Sequence, residues 1–91
     1  MTEVYRDWIN ALKDRAARAR VQVRVDRLAH GNPGQHRRLT GGLVELKVDA
    51  GPGYRVYYTE RGGELIVLLV GGDKSSQQKD IELAKSLAAN L

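Results

Sequence analysis

Apolar residues recur four apart at the start of the chain, where Val4, Trp8 and Leu12 mark one stripe of a helix over residues 3–13. Asp14 is placed to cap a second helix whose stripe is Ala17, Val21, Val25 and Leu28. The string Val21-Gln22-Val23-Arg24-Val25 alternates as a strand would. The four-residue spacing nevertheless continues through Leu28, and strong helix formers precede it, so helix is the expectation. Gly31-Asn32-Pro33-Gly34 stops that helix. The break at Lys13–Arg15 is short, and two helices joined this way form an αα-hairpin.

Beyond residue 34 the period falls to two. Val44, Leu46 and Val48 alternate with Glu45, Lys47 and Asp49, which predicts a strand with one wet face. Gly51-Pro52-Gly53 is a turn. Tyr54 to Thr59 follows, with Tyr54, Val56 and Tyr58 on one face and Arg55, Tyr57 and Thr59 on the other. Arg61-Gly62-Gly63-Glu64 reads as a hairpin loop. Leu65 to Val70 is apolar on both faces and is expected to be the central, most buried strand, ended by Gly71-Gly72. A last helix begins at Asp73 or Ser75 and turns Ile81, Ala84, Leu87, Ala88 and Leu91 inward. The order α-α-β-β-β-α predicts a single α+β domain over 1–91: an αα-hairpin, an antiparallel β-meander and a C-terminal helix.

Composition narrows the chemistry. The 91 residues include no cysteine, which removes disulfides and thiolate zinc sites. His30 and His36 are the only imidazoles, so a protein-only zinc cage would need several carboxylates besides. No apolar run approaches the roughly 18–20 residues of a membrane span, and the first residues lack a signal-peptide core. The expectation is a cytoplasmic domain without a membrane partner.

Charge is unevenly spread. Residues 1–38 hold nine Lys/Arg against four Asp/Glu, whereas residues 39–91 hold six against seven. Arg15, Arg18, Arg20, Arg24, Arg27, Arg37 and Arg38 crowd one stretch with Asp26 as its one acid. Such a concentration suits phosphate, nucleic acid or an acidic protein segment, and equally a solvated helix face.

Four stretches resemble a known family. Asp14-Arg15-Ala16-Ala17-Arg18-Ala19-Arg20-Val21 is similar to the arginine-rich second helix of RelE/ParE-superfamily toxins, in particular the addiction-module killer proteins related to HigB. Leu28-Ala29-His30-Gly31-Asn32-Pro33-Gly34, Gly51-Pro52-Gly53-Tyr54-Arg55-Val56-Tyr57-Tyr58 and Leu68-Leu69-Val70-Gly71-Gly72-Asp73-Lys74-Ser75 fit the same branch. The resemblance implies a RelE-like fold and the toxin of a type II toxin–antitoxin pair. Such toxins cut mRNA on the ribosome without metal or cofactor. A cognate antitoxin, in this branch a helix-turn-helix DNA-binding protein, silences them and supplies the contact to operator DNA. Two departures stand out. Members open with a short strand, whereas Thr2-Glu3-Val4-Tyr5 starts the helix almost at Met1, so the sheet is expected to lack its first strand. Some relatives carry a tyrosine early in the final segment, where this chain reads Ser75-Ser76-Gln77-Gln78.

Metal-free RNA cleavage needs a proton acceptor, cations for the pentavalent oxyanion and a donor to the leaving oxygen. No Ser-His-Asp, paired-carboxylate or P-loop pattern suggests other chemistry. Arg55 is the leading catalytic candidate, because alternation sets it on the polar face of its strand and its planar fork matches phosphate. A plain pairing with Glu45 or Glu60 is the bland alternative. Lys47 on the neighbouring strand and Lys74 at the strand-to-helix corner complete the catalytic set, with Asp73 as the expected cap of the last helix. The seven arginines, His36 and a base-stacking Tyr57 are the expected ribosome and mRNA contacts, although Tyr57 would also suit packing against the last helix. The competing functions are a ParE-like inhibitor of DNA gyrase and a non-catalytic basic RNA- or protein-binding domain.

Overall fold

The computed structural model describes residues 1–91. Helices α1 (Glu3–Ala11) and α2 (Arg15–Ala29) precede four strands, β1 (His36–Arg38), β2 (Leu43–Val48), β3 (Tyr54–Arg61) and β4 (Leu65–Asp73), and α3 (Gln77–Ala89) closes the chain. The strands form one antiparallel sheet in the order β1-β2-β3-β4. The α+β architecture with a C-terminal helix is therefore as the pattern predicts.

Both helices of the α-hairpin start at side-chain caps. Thr2 accepts from the Tyr5 amide at 3.1 Å and Asp14 from the Ala17 amide at 3.1 Å, satisfying amides that a helix start leaves open. The stripe of α1 lies one position from expectation: Tyr5 and Ile9 are buried, Trp8 and Leu12 half-buried, and Val4 exposed. Trp8 stands between Tyr5 and Tyr54, at ring-centroid distances of 5.8 and 6.0 Å. That of α2 is as predicted, with Ala17, Val21 and Leu28 buried.

The sheet is covered on both faces, and this accounts for most departures from the sequence pattern. One core joins α1 and α2 to Val44, Leu46, Val48, Val56 and Tyr58. A second joins α3 to Leu43, Tyr57, Leu69 and Val70. The face expected to be wet on β2 is thus roofed by α3, and Glu45 is fully buried. β4 is apolar on both sides because helices cover both sides; it lies at the edge of the sheet, not its centre. Gly71-Gly72 does not end it either. A Cβ on Gly71 would collide with the Trp8 ring and one on Gly72 with the Asp80 carboxylate, so these glycines admit close neighbours within a continuing strand.

β1 has no counterpart in the predicted elements. His36, Arg37 and Arg38 are all exposed and carry no apolar alternation, and backbone pairing to Leu46, Glu45 and Val44 alone makes them a strand. At the opposite edge, the Thr2 amide donates to the Leu68 carbonyl at 3.0 Å and its hydroxyl to that of Leu69 at 2.5 Å.

Candidate functional site

Register builds the site. Lys47 on β2 lies directly opposite Arg55 on β3, and Arg55 opposite Gly72 on β4. Two residues past Gly72 the chain turns, and the Lys74 amide donates to the Gly53 carbonyl at 3.1 Å, tying the strand-to-helix corner to the β2–β3 turn. Gly53 has φ +85°, a left-handed conformation that glycine adopts without strain. Its missing side chain matters as well, because a Cβ there would stand 3.3 Å from Lys74 Cε and 3.6 Å from Arg55 Nη1.

The result is a cleft of about 370 Å³ lined by Gln35, Lys47, Asp49, the Gly51–Gly53 turn, Arg55 and Lys74. All three candidate catalytic cations therefore share one cavity with a single carboxylate at its rim. Lys74 is exposed, Lys47 half-buried, and the Arg55 side chain only 12% exposed. Arg55 Nη1 donates to its neighbour's carbonyl, Tyr54 O, at 3.1 Å, which ties down one end of the guanidinium. Gln35 and Asp49 were not singled out by the sequence. Asp49 continues the alternation of Glu45 and Lys47, whereas Gln35 reaches the cleft only because its carbonyl accepts from the Lys47 amide.

Other candidates fall elsewhere. Arg55 does face Glu45, with Nε 3.7 Å from Oε1, while Glu60 stays exposed. Tyr57 is fully buried under α3 and presents no ring for stacking. Burial pushes its phenol upward in pKa, and the nearby charges of Glu45 and Asp80 push it further. His36 and Arg38 pair with Leu46 and Val44, whose side chains face the α1–α2 core, so the sheet separates them from Lys47 and Arg55. They border a different hollow with Tyr58 and Glu60. Arg37, on the α3 side, donates to Glu45 at 3.4 Å.

At the corner, Asp73 caps the short 3₁₀ turn Lys74–Ser76 and not α3 itself. Its carboxylate accepts from the Ser75 hydroxyl at 2.5 Å and amide at 2.8 Å, interactions that hold its pKa below the usual range. The open amides of α3 thus begin after that turn, beyond Lys74.

On α2 the arginines divide by role. Arg24 donates to the carbonyls of Lys47 at 2.5 Å, Pro33 at 2.9 Å and Gln35 at 3.1 Å. Burial and the neighbouring Arg27 both draw its pKa down. Arg20 reaches the Asp49 carbonyl at 3.2 Å, while Arg15 and Arg27 are exposed. Arg20, Arg24 and Arg27 edge a shallow groove with Val23, and Val48 and Asp49 border both this groove and the cationic cleft. No three His, Cys, Asp or Glu side chains converge as a metal-sized group, and no helix is long and apolar enough to cross a membrane.

An α+β domain with a cationic cleft between the β2–β3 hairpin end and a strand-to-helix corner is the class of structure the geometry defines. The comparisons place it more narrowly. Residues 7–89 match the family of phage-derived Gp49-like proteins (DUF891), and the chain belongs to that family, a member of the RelE/ParE-like toxin superfamily. It is 44% identical over 90 residues to an uncharacterized protein of Haemophilus influenzae, covering 99% of this chain and 91% of that one. No solved structure matches it. Membership indicates a toxin of the toxin–antitoxin type, with an antitoxin as its partner.

Proposed function

We propose that this toxin is a ribosome-dependent, metal-free endoribonuclease of the HigB-like kind that cuts mRNA, stops translation and is neutralised by a helix-turn-helix antitoxin. The observation that carries the reading is the meeting of Lys47, Arg55 and Lys74, from three separate strand ends, around one cleft of about 370 Å³. In the reaction the ribose 2′-oxygen attacks the adjacent phosphorus and the bond to the 5′-oxygen breaks. The products are a 2′,3′-cyclic phosphate and a free 5′-hydroxyl. Arg55 neutralises the oxyanion through its planar fork, and Lys74 donates a proton to the departing oxygen. Lys47 holds a phosphate oxygen, and the 2′-hydroxyl proton passes to Asp49, the carboxylate at the rim. The groove edged by Arg20 and Arg27 shares its border with the cleft and gives the flanking RNA backbone a place to lie. Operator DNA is reached through the antitoxin alone.

The test is incubation of the purified protein with translating ribosomes, followed by primer extension on the message. Cuts within codons support the reading. Relaxed plasmid accumulating beside intact message would replace it with gyrase inhibition, and binding without either effect would replace it with a non-catalytic basic domain.

A further inference from the structure

Beneath the cleft lies a carboxylate that the proposed chemistry does not use. Glu45 is fully buried between β2 and α3, where an ionised group is costly unless it is paired and hydrogen-bonded. Its Oε2 is well supplied, accepting from Gln77 Nε2 at 2.7 Å and from Arg37 Nη2 at 3.4 Å. Its Oε1 accepts nothing. It stands 3.7 Å from Arg55 Nε, which also lacks a hydrogen-bond partner, and the Tyr57 hydroxyl lies close enough for the carboxylate to raise its pKa. Buried polar groups are rarely left open in a native fold, so the two that face each other here, Glu45 Oε1 and Arg55 Nε, require an account.

The arginine supplies one. Arg55 Nη1 is committed to Tyr54 O, and the Nη side borders Gly53 and the cleft, while Nε is turned inward to Glu45. A guanidinium held by its Nε edge offers its outer edge to a phosphate in one fixed plane. We propose that Glu45 is a positioning residue for Arg55: its buried charge, 3.7 Å from Nε, holds that edge of the guanidinium and aims the outer edge at the scissile phosphate. This rests on the cleft being a phosphate site. Buried support of this kind fixes a reacting geometry that a solvent-exposed arginine would lose to rotamer freedom.

Glu45→Gln keeps the size and the contact to Gln77 but removes the charge. Removing a negative charge from a cationic site favours anion binding, so inorganic phosphate, followed by NMR titration, should bind as tightly as before or up to about threefold more tightly. Cleavage of message on ribosomes should fall at least tenfold. A merely structural glutamate would move both quantities together or neither, and cleavage within twofold of the wild type would overturn the proposal. Combining Glu45→Gln with Arg55→Lys isolates the route, since lysine has no Nε–H for Glu45 to hold. No further loss from Glu45→Gln on that background is expected, and full additivity would overturn the proposal.

A readout independent of activity is the Arg55 Nε–H resonance. It should exchange slowly in the wild type and lose protection in Glu45→Gln; an unchanged signal would overturn the role. Should the wild type fail to cut message at all, the endoribonuclease reading falls. The resonance and the phosphate titration still decide whether Glu45 positions Arg55.

Discussion

The guanidinium of Arg24 donates to the carbonyl oxygen of Lys47 at 2.5 Å, and through the same side chain to those of Pro33 and Gln35. One arginine thus pins α2, the loop before β1 and the cleft-lining end of β2 together. Arg24→Ala should cost about 2 kcal/mol, since three carbonyls lose a charged donor that water only partly replaces. For a domain of this size that lowers the melting temperature by roughly 8–16 °C. Arg24→Lys should recover little, because an ammonium does not span three acceptors in one plane. Thermal unfolding followed by circular dichroism checks both.

The exposed arginines should behave in the opposite way. Arg15→Gln with Arg27→Gln is expected to leave unfolding within about 0.5 kcal/mol of the wild type. Ribosome association should weaken, and the slope of log affinity against log salt should shrink by about 1 to 2. Sedimentation with ribosomes across a salt series reads this directly, and an unchanged slope would make these side chains a solvated face.

Arg55→Lys retains a positive charge but gives up the planar fork. In the proposed mechanism it loses about 10²–10³ in cleavage rate, the usual loss on removing one oxyanion donor. Growth arrest on induction should be relieved while the folded protein still binds its antitoxin. Full toxicity in this variant would move the site elsewhere. Arg55→Ala is the harsher test, because it also strips Glu45 of its facing charge.

Gly53→Ala sets a methyl group between Lys74 and Arg55 in a left-handed backbone. Strain alone should cost about 1–2 kcal/mol. Activity should fall further than stability, since the intruding carbon parts the two cations. A variant whose lost activity is fully explained by its unfolded fraction would refute that geometry.

Tyr5 gives a pH signature. Its hydroxyl is buried without a partner, and burial pushes its pKa from 10.0 up to about 12. Below pH 10 both folded and unfolded chains hold the proton. Between pH 10 and about 12 the unfolded chain releases a proton that the folded one keeps, so stability declines across that window by about 3 kcal/mol. Tyr57 and Tyr58, raised by burial too, extend the decline. Tyr5→Phe should be at least as stable at neutral pH and should flatten part of the alkaline fall, as denaturant titrations at pH 8 and pH 11 would show.

The sequence carried the elements wherever burial imposes a period. The helix of Ala17, Val21 and Leu28 and the strands of Val44 to Val48 and Tyr54 to Thr59 are legible because each turns one face to a core. The cleft was legible for a related reason: alternation set Lys47 and Arg55 on one face before their register was known. What remained hidden depends on partners distant in sequence. β1 exists only through backbone pairing, Glu45 is buried by a helix that begins more than thirty residues later at Gln77, and Gly71-Gly72 reads as a stop until Trp8 and Asp80 occupy the space beside it. Arg24 looks like its neighbours on α2, and nothing local distinguishes a clamp from a solvated charge.

β3 is shared between two interiors that never meet. Val56 and Tyr58 belong to the layer beneath the sheet, Arg55 and Tyr57 to the layer above it. A slip of one residue would drive the guanidinium into aliphatic packing and leave a valine in its place at the cleft. The strand therefore tolerates change only in steps of two, and its hairpin loops, not its body, are where length can be gained or lost. Chemistry and folding are written into the same eight residues in alternate letters, so neither text can be edited by a single insertion without erasing the other.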